Sequence, residues 1–470
     1  MTSGRSRPLD PRGIATALPI VCALLFGGWL AAPRAAVAGD WVTFVDQTAS
    51  RIVADPGVGV SDPQEKDLIS GDVDQDGDAD LIVVRKTPFT NPGGFRNVLF
   101  MNEGGVMTDR TSTLAPDFLD PTDDRDVELA DVDGDGWLDI ITAGTFGEQP
   151  RILINLGETA GVWLGFDYEP NRLPVLTSAT GNGPKFCGLG VGDLTGDGRP
   201  ELYFADYEND MEDRLLINDG TGFFTDETAS RLTAEMVAST FGTDADIADM
   251  NGDGFNDIIK DNASGTSGGG VEGIAPAVQI LYNDGTGHFT FMAIPNSDAP
   301  YMVAPADFTQ DDRLDLFVVD DGQDSYLINT GNDVEGHAQF TTHTVAPSPN
   351  TNFFGGNVQF ADLDNDGILD VLVSDVDTDI SGCDRQLVLL QGQGQPPAVT
   401  YADPLGGASR PWTPQGTFDV EAMHIDDDGV LDLWIGTCNG NLVFMGVDPS
   451  FIFADGFESG DSSAWSATVP

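Results

Sequence analysis

The sequence predicts an all-β protein, a seven-bladed β-propeller of four-stranded blades whose ring is closed by the N-terminal strand. Three observations predict this fold class. A short acidic loop recurs seven times at nearly constant intervals. Each interval contains segments typical of four short β-strands, which is the content of one propeller blade. A segment near the N-terminus has nearly the same sequence as one that ends an internal unit, although no acidic loop precedes it.

The acidic loop is clearest in Asp131-Val-Asp-Gly-Asp-Gly-Trp-Leu-Asp139, where aspartates occupy positions 1, 3, 5 and 9. Calcium takes about six to eight oxygen ligands, and carboxylates that alternate along a tight loop supply them. Gly136 at position 6 allows backbone angles that a side chain would resist. An EF-hand would continue as a helix, whereas Ile140 and Ile141 predict a β-strand here. The loop therefore predicts a calcium site between two strands.

The loop returns every 55 to 62 residues, a period that indicates an array of one supersecondary unit. In the third unit the predicted strands are 186–191, 201–205, 214–217 and 222–225. Seven such units around an axis form a propeller, whereas a linear β-solenoid, the alternative, usually has shorter repeats and needs capped ends. The first positions of the seven loops are Asp72, Asp131, Asp193, Asp249, Asp307, Asp362 and His424.

The two ends of the chain predict closure of the ring. Phe44-Val-Asp-Gln-Thr-Ala-Ser-Arg-Ile52 closely matches Phe224-Thr-Asp-Glu-Thr-Ala-Ser-Arg-Leu232, which ends the third unit. The seventh unit contains strand-like segments at 433–436 and 442–445, but no outer strand follows them. We therefore expect residues 43–48 to supply the missing strand, which leaves few exposed sheet edges.

The N-terminal segment has the pattern of a secretory signal peptide. Arg5, Arg7 and Arg12 precede an apolar run, and the A-x-A cleavage site Ala36-Val-Ala38 follows it. A retained transmembrane helix is the alternative, but the run is short and interrupted by proline and glycine. We expect an exported protein, extracellular or at the cell surface, with no membrane insertion after cleavage. The predicted organisation is a signal peptide at 1–38, a propeller at 39–448 and a C-terminal tail at 449–470.

The chain carries 77 acidic and 21 basic side chains, a formal net charge of −56. A surface this negative repels nucleic acids and anionic membranes, so both are excluded as partners. The same charge also keeps an exported protein soluble, and we expect a monomer. The expected partner is an extracellular protein or a carbohydrate.

Three cysteines follow the predicted signal peptide, and the expected compartment permits disulfide bonds. Cys383 and Cys438 both follow the second strand of neighbouring units, so a bridge between them is compatible with the fold. The sequence leaves open whether that bridge forms. Cys187 belongs to a distant unit and is expected to be a free, partly buried thiol.

Five of the seven loops keep both the bend glycine and an oxygen ligand at every expected position. In the first, second and sixth loops all four are aspartates, which raise one another's pKa values unless a cation lies among them. The third and fourth loops carry Thr195 and Asn251 at position 3, and both side chains still offer oxygen. The predicted calcium ligands are Asp72, Asp74, Asp76, Asp80, Asp131, Asp133, Asp135, Asp139, Asp193, Thr195, Asp197, Glu201, Asp249, Asn251, Asp253, Asp257, Asp362, Asp364, Asp366 and Asp370.

The fifth and seventh loops depart from the pattern. Asp312 replaces the bend glycine of the fifth loop, and His424 occupies position 1 of the seventh. Imidazole is a poor calcium ligand because hard cations prefer oxygen. We expect weaker calcium binding, or none, at these two loops. Their candidate ligands are Asp307, Asp311, Asp315, Asp426, Asp428 and Asp432.

The acidic loops and the hairpins Leu216-Ile-Asn-Asp-Gly-Thr-Gly-Phe-Phe-Thr225 and Leu281-Tyr-Asn-Asp-Gly-Thr-Gly-His-Phe-Thr290 resemble FG-GAP/VCBS repeats. These repeats form the blades of the integrin α-subunit propeller and of many secreted bacterial proteins. The resemblance covers about residues 43–446. It implies calcium in the loops between the first and second strands. It also implies ligand recognition on the opposite face, which the connections between strands 2 and 3 and between blades form.

The sequence favours binding over catalysis. The four histidines are not paired in sequence with a nucleophile, and no G-x-S-x-G or H-E-x-x-H motif occurs. Long connections expected on the calcium-free face carry aromatic side chains, which stack on sugar rings or anchor protein partners. The predicted function is a non-catalytic recognition or adhesion module. The candidate ligand-binding residues are Trp163, Tyr168, Tyr207 and Trp412.

Two other functions stay open at this point. A polysaccharide lyase on a propeller scaffold would need a basic residue to neutralise a uronate. Its candidates are Lys185, Arg214, Lys260 and Arg385. A surface-layer or matrix component would instead self-associate in the presence of calcium.

Overall fold

A computed structural model of the chain describes residues 42–88, 92–177, 183–207, 212–239, 242–262, 276–295, 299–320, 322–345, 356–374, 387–403, 414 and 416–447. The predicted signal peptide, the predicted tail, Cys383, Arg385 and Trp412 lie outside these ranges. Among the described residues, no helix is long and apolar enough to cross a membrane.

The described strands form seven blades. In each of the first six, four antiparallel strands pair in the order of the chain. The first strand of every blade contributes to the lining of one central cavity, so these strands surround the axis. The fourth strands lie at the rim. This arrangement confirms the predicted seven-bladed propeller.

The strand bounds follow the seven sequence units. In blade 1 the strands are Glu65–Gly71, Asp80–Lys86, Val98–Asn102 and Met107–Asp109. In blade 2 they are Asp124–Ala130, Asp139–Gly144, Arg151–Asn155 and Phe166–Tyr168, with a small hairpin of Glu158–Thr159 and Val162–Trp163 before the last strand. In blade 3 they are Phe186–Gly192, Glu201–Asp206, Arg214–Asn218 and Phe224–Asp226.

The remaining blades repeat the pattern. In blade 4 the strands are Ala245–Ala248, Asp257–Asn262, Ala277–Asn283 and Phe289–Pro295, and in blade 5 they are Pro300–Ala306, Asp315–Asp320, Ser325–Asn332 and Ala338–Thr344. In blade 6 they are Val358–Ala361, Asp370–Val373, Val388–Gln395 and Ala398–Ala402. Blade 7 contributes Thr417–Met423, Asp432–Thr437 and Gly440–Gly446. Short helical turns occur at Thr48–Arg51, Thr111–Leu114, Pro116–Leu119 and Thr228–Arg231.

The apolar core lies between neighbouring sheets. The second strand of a blade is covered on both faces, and every residue of Asp80–Lys86 is buried. In one cluster Ile82 and Leu99 of blade 1 pack with Val127 and Ile140 of blade 2. Each blade therefore buries its apolar side chains only when its neighbours are present, which explains why the ring must close.

The N-terminal strand closes the ring as predicted. Phe44–Asp46 pairs antiparallel with Gly440–Gly446 and becomes the fourth strand of blade 7. The next segment, Ile52–Val53, pairs in parallel with Met107–Asp109 as a fifth strand of blade 1. The first residues of the described chain thus join the last blade to the first.

The repeated Thr-Ala-Ser-Arg phrase forms the same turn in both places. The Thr48 hydroxyl accepts a hydrogen bond from Val443 N at 2.9 Å, and the Thr228 hydroxyl accepts one from Leu215 N at 2.9 Å. Arg51 donates to the carbonyl oxygen of Gly105 at 2.7 Å, and Gly105 lies between the third and fourth strands of blade 1. The sequence similarity therefore reflects one structural role, the connection from the rim of one blade to the next blade.

The described cysteines agree with part of the expectation. Cys187 is free and buried, and burial raises the pKa of its thiol to about 12. Cys438 is disulfide-bonded. Because Cys383 lies outside the described residues, the predicted pairing between them stays a prediction.

Closure by the N-terminal strand gives a stability prediction. Phe44 is 7% exposed and belongs to the core cluster of blades 6 and 7, whereas Val45 in the same strand is 46% exposed. Phe44→Ala should lower the free energy of unfolding by about 3 kcal/mol, because it removes a buried aromatic ring. Val45→Ala, the matched control, should cost about 0.5 kcal/mol or less. Urea unfolding measures both, and equal losses would argue against a closing strand at this position.

Candidate metal loops and central cavity

The first-position carboxylate shapes each of the first six acidic loops. Asp131 accepts hydrogen bonds from the backbone N–H groups of Gly134 at 2.6 Å, Asp135 at 3.1 Å and Gly136 at 3.0 Å. Gly136 has a φ of +92°, a conformation that an L side chain rarely adopts. The loop backbone therefore curls around the Asp131 side chain, and the carboxylates of Asp133 and Asp139 lie on the same side.

The structure brings positions 1, 3 and 9 together in the three loops that carry aspartate at all of them. In each set one ligand atom per residue lies within 4.8 Å of the others. The sets are Asp72, Asp74 and Asp80; Asp131, Asp133 and Asp139; and Asp362, Asp364 and Asp370.

The fifth-position aspartates do not belong to these three sets. Their side chains instead stabilise the end of the loop, as when Asp135 accepts a hydrogen bond from Trp137 N at 2.9 Å and Asp366 accepts one from Ile368 N at 2.9 Å. The sequence pattern did not separate this role from metal binding. The two roles are compatible, because a carboxylate oxygen has more than one lone pair.

Unpaired buried oxygens support a cation at these loops. Among the described residues, Asp72 Oδ1, Asp133 Oδ1 and Glu201 Oε1 are buried without a hydrogen-bond partner. An unpaired buried carboxylate oxygen is costly, and a cation is one partner that satisfies it. The donors are all oxygen atoms, which suits calcium or another hard cation. The loop residues therefore fit the metal that the family resemblance implies.

The ninth-position acid has a structural role that sequence reasoning missed. Asp139 Oδ2 accepts from Val132 N at 2.9 Å, and its Oδ1 accepts from Asn155 N at 2.8 Å. It therefore ties the loop and the third strand to the second strand. The same pair of contacts is made by Asp80, Asp257, Asp370 and Asp432. Asp315 accepts from the third loop residue, Thr309 N, and from Asn329 N. Glu201 makes both of its contacts within the loop.

In five blades an asparagine at the end of the third strand donates to the acidic loop of the preceding blade. Asn155 Nδ2 donates to Val73 O at 2.8 Å, and Val73 is the second residue of the first loop. Asn218 and Asn283 reach the second and third loops in the same way, at 2.8 Å in both cases. Blades 1 and 5 use Asn102 and Asn329. In five blades, therefore, the position of one loop depends on the next blade.

The third and fourth loops have the same geometry with fewer charges. Asp193 accepts from Gly196 N at 2.7 Å and from Gly198 N at 2.9 Å, and Asp249 accepts from the corresponding N–H groups of its loop. Thr195 and Asn251 stand at position 3, so three acids do not converge in these loops. Calcium binding at both loops stays a prediction.

The fifth loop adopts the standard turn without its glycine. Asp312 has a φ of +65°, and its N–H donates to Asp307 Oδ2 at 2.9 Å, as the glycine does in the other loops. Backbone strain of this kind costs roughly 1–2 kcal/mol for a side chain other than glycine. Asp311 pairs with the guanidinium of Arg313, which neutralises one candidate ligand.

The seventh loop lacks the first-position carboxylate, and its geometry differs accordingly. His424 Nδ1 lies 3.0 Å from Val430 O and must donate to it, because a carbonyl oxygen only accepts. Asp426, at position 3, forms an ion pair with Arg51 at 2.7 Å. These contacts support the expectation of weak or absent calcium at this loop, which stays a prediction.

A cavity of about 270 Å³ lies on the propeller axis and is lined by the first strands of all seven blades. Its lining residues belong mainly to the parts of these strands that precede the acidic loops, so the cavity lies toward the opposite face. Eight acidic side chains line it, together with two basic side chains, amides and apolar groups. Glu65 is one of the eight, and we call the other seven the cavity carboxylates. They are Asp67, Asp126, Glu128, Asp244, Asp246, Asp419 and Glu421.

Four cavity carboxylates link neighbouring blades. Each lies five residues before the first position of its loop, and one oxygen accepts an N–H from the first strand of the next blade. The contacts are Asp67 with Val127 N at 3.1 Å, Asp126 with Leu189 N at 2.6 Å, Asp244 with Val303 N at 2.9 Å and Asp419 with Leu68 N at 2.8 Å. An acid five residues before the first loop position recurs in these four blades. Sequence reasoning missed this signal because the chain contains so many other acids.

Burial strongly favours protonation of the cavity carboxylates. It raises the pKa of Glu421 to about 7 and that of Asp244 to about 6. Burial, followed by repulsion from neighbouring carboxylates, raises the pKa values of Asp126 and Glu128 well above their usual range. Glu421 also accepts hydrogen bonds from Ser70 Oγ at 2.6 Å and Gln359 Nε2 at 2.9 Å. The cavity thus takes up protons as the pH falls from neutral.

The predicted ligand-binding aromatics do not form one platform. Tyr207 lines the cavity and lies against the Arg125 guanidinium, 5.7 Å from its ring centroid. Tyr168 is part of the outer strand of blade 2 and packs against the core of blades 1 and 2. Trp412 is outside the described residues.

The position of Trp163 differs from the prediction. It belongs to the hairpin between the third and fourth strands of blade 2, and this connection lies on the same side as the acidic loops. Its indole N–H donates to Asn155 Oδ1 at 2.8 Å, and its ring packs edge-on against Phe166. The sequence did not show that this long connection begins with a short hairpin, which places the ring on that side.

The described basic residues proposed for a lyase are not part of the cavity lining. Lys260 is fully buried and pairs with Asp213. Arg214 is 9% exposed and donates to the carbonyl oxygens of Glu212 at 2.6 Å and Asp213 at 3.0 Å. Arg214 is therefore held by its own blade and Lys260 by the neighbouring blade 3, and neither lines the cavity.

Fold and loops together define the class of this protein: a seven-bladed propeller with acidic loops between the first two strands of its blades. A family profile described as FG-GAP-like repeat matches residues 72–142, 193–259 and 307–373. Each match begins at the first position of a loop and ends in the second strand of the next blade. The chain therefore contains FG-GAP-like repeats, and the resemblance seen in the sequence is confirmed.

Other similarities are more distant. Cartilage acidic protein 1 of Mus musculus is 24% identical over 389 residues, a match that covers 68% of this chain and 59% of that protein. The chain thus spans less than two thirds of that relative.

Two solved structures are similar at low sequence identity. A lectin of Agrocybe aegerita, described for specific recognition of non-reducing terminal N-acetylglucosamine, has a TM-score of 0.46 and 16% identity, covering 80% of this chain and 86% of that chain. BBS1N in complex with ARL6DN has a TM-score of 0.45 and 10% identity, covering 84% and 95%. Neither similarity is close enough to carry a functional argument.

The cavity carboxylates give a pH prediction. Because burial raises the pKa of Glu421 to about 7 from its ordinary 4.5, the folded state binds this proton more tightly than the unfolded state. The stability that the proton supplies is present below about pH 4.5 and is lost as the pH rises through 7. Glu421→Gln should remove this loss, so the variant gains on the order of 2 kcal/mol over the native protein between pH 5 and pH 8.

Urea unfolding in excess calcium across this pH range measures the effect. The control is Glu235→Gln, which changes an exposed acid outside the cavity and should leave the native pH dependence as it is. A pH-independent difference between Glu421→Gln and the native protein would contradict a proton held at this site.

Proposed function

We propose that this protein is an exported, calcium-stabilised propeller that acts as a non-catalytic recognition or adhesion module. The observation that carries the proposal is the convergence of carboxylates from positions 1, 3 and 9 in three loops. The FG-GAP-like repeats support it, because their acidic loops occur in the same positions of the fold.

Calcium bound to these loops would supply positive charge and free energy of folding. The residues of the chain convert that binding into rigidity. Asp139 is both a candidate ligand and the side chain that ties the second strand to Val132 and Asn155. Asn155 in turn holds Val73 of the preceding blade. Order at one loop is thus transmitted to the neighbouring blade.

Recognition is assigned to the face opposite the acidic loops, where the cavity and Tyr207 lie. The lining combines carboxylates and the amides of Asn357 and Gln359 with two basic side chains and three aromatic rings. These are Lys66, Arg125, Tyr207, Tyr301 and Phe418. Carboxylates and amides accept hydrogen bonds from hydroxyl and ammonium groups. A neutral glycan or a basic protein segment fits this chemistry, whereas an anionic polymer meets repulsion from the net charge of −56.

The non-catalytic part of the proposal follows from how the reactive groups are distributed. His288, His337, His343 and His424 are all described, and none belongs to the described lining of the cavity. Cys187 lines the cavity, but burial raises the pKa of its thiol to about 12, so the nucleophilic thiolate is disfavoured.

Calcium removal tests the stability claim. Chelation should lower the melting temperature of the mature chain strongly, and calorimetric titration of the chelated, refolded protein should show about five to seven tight calcium sites, one for each competent loop. An unchanged melting transition would overturn the structural role of calcium.

Two matched variants locate the sites. Asp74→Ala changes position 3 of the first loop, where three carboxylates converge, and should remove one calcium from the stoichiometry. Asp426→Ala changes the same position of the seventh loop, where the carboxylate already pairs with Arg51, and should leave the stoichiometry unchanged. The same loss in both variants would show that the convergent carboxylates do not define the sites.

Recognition is tested separately, with the calcium-loaded protein. Immobilised protein is exposed to neutral glycans and to basic peptides, and binding is compared with that of Glu128→Gln, which alters the cavity lining. Uronate polymers are incubated in parallel and followed for unsaturated products by ultraviolet absorbance. Binding that depends on Glu128, without product, supports the module. Product formation would establish the lyase instead.

A further inference from the structure

We propose that the turn between the third and fourth strands of blade 5 is a zinc-class transition-metal site, distinct from the calcium loops. Asp333, Glu335 and His337 each place one ligand atom within 4.8 Å of the other two. The turn is closed by a hydrogen bond from Asp333 N to His337 O at 2.9 Å. Alternate residues of this short turn therefore face the same point.

The imidazole of His337 is held in place by the neighbouring blade. Its ring stacks on Tyr282, with the centroids 4.6 Å apart and the planes 15° from parallel. The Tyr282 hydroxyl oxygen accepts a hydrogen bond from Ala338 N at 3.0 Å, so the Tyr282 ring is itself fixed to the turn. A ligand ring that is already oriented loses little freedom on binding a metal.

The second ring nitrogen has the partner that a metal-binding histidine needs. His337 Nε2 lies 3.1 Å from Thr290 Oγ1, on the outer strand of blade 4. When Nε2 donates its proton to this hydroxyl, Nδ1 carries the free lone pair. Metal-binding histidines almost always donate their other N–H to such an outer partner. Thr290 is thus a positioning residue for the site.

The other two candidate ligands are carboxylates, which supply negative charge. Asp333 and Glu335 are exposed, whereas His337 is half-buried. Asp333 Oδ1 accepts from Glu335 N at 2.8 Å and His337 N at 3.0 Å, and its Oδ2 has a 3.4 Å contact with Gln339 Nε2. These backbone contacts hold the Asp333 carboxylate beside Glu335 and His337.

The donor set selects the class of metal. Zinc accepts both imidazole nitrogen and carboxylate oxygen, and three protein ligands leave a fourth position for water. Calcium is disfavoured because it takes oxygen ligands in larger number. The site therefore differs in chemistry from the acidic loops.

Blade 4 provides an internal comparison. Its corresponding turn carries Asp284 and His288, closed by a hydrogen bond from Asp284 N to His288 O at 2.9 Å. Thr286 takes the place of Glu335, and its hydroxyl lies 3.3 Å from His288 Nδ1. That turn offers two candidate ligands instead of three, and its imidazole is engaged within the turn.

The test is a titration of the full mature chain with zinc chloride in saturating calcium, so that the acidic loops are already filled. Isothermal calorimetry should show one zinc site. Glu335→Thr, which makes the turn resemble that of blade 4, and His337→Ala should each weaken it at least about tenfold, and Thr290→Val should weaken it by about tenfold. Melting temperatures measured without zinc verify that each variant folds.

His343→Ala is the matched control. His343 stacks on Tyr326 with a centroid distance of 5.2 Å and an interplanar angle of 14°, much as His337 stacks on Tyr282. It is not part of a metal-ligand set in the described chain, so this variant should bind zinc like the native protein. Absence of zinc binding to the native chain, or unchanged binding by Glu335→Thr, would overturn the proposal.

Discussion

The structure depends first on the carboxylate at position 9 of each acidic loop. This one side chain satisfies backbone N–H groups that the interior of a blade would otherwise leave unpaired, as Asp139 does for Val132 and Asn155. A buried N–H without a partner costs about 1–3 kcal/mol, so the acid has a structural value even before metal binding is considered. Because the same carboxylate belongs to the metal-ligand set, metal binding and strand geometry are coupled in one group.

Neighbouring blades are joined by polar contacts on the loop side and on the cavity side. The apolar clusters lie between these two sets of contacts. On the loop side, asparagines such as Asn155 and Asn283 donate to the loop of the preceding blade. On the cavity side, Asp67 and Asp126 accept from the first strand of the following blade. Every blade except the sixth takes part in both kinds of contact, which gives the ring directional contacts that apolar packing alone lacks.

The large acidic excess has at least three separate roles. Loop carboxylates converge on sites that suit a hard cation, and cavity carboxylates face one another and take up protons through burial. In the blade 5 turn, Asp333 and Glu335 combine with His337 into a mixed nitrogen and oxygen set. The same residue type thus serves different chemistry according to its neighbours, because burial and nearby charge decide whether a carboxylate meets a metal ion, a proton or a backbone N–H.

The sequence alone determined the seven-bladed fold and the strand order, because both follow from the repeated unit. It also determined the closing strand at Phe44–Asp46, because the seventh repeat lacks its outer strand. It also determined the loops with convergent acids, because their ligands are close along the chain. Only the tertiary structure decided which acids line the cavity, where Trp163 lies and that His337 meets Thr290. These contacts join residues from different blades or depend on a turn inside a long connection. The sequence pattern within one blade therefore does not predict them.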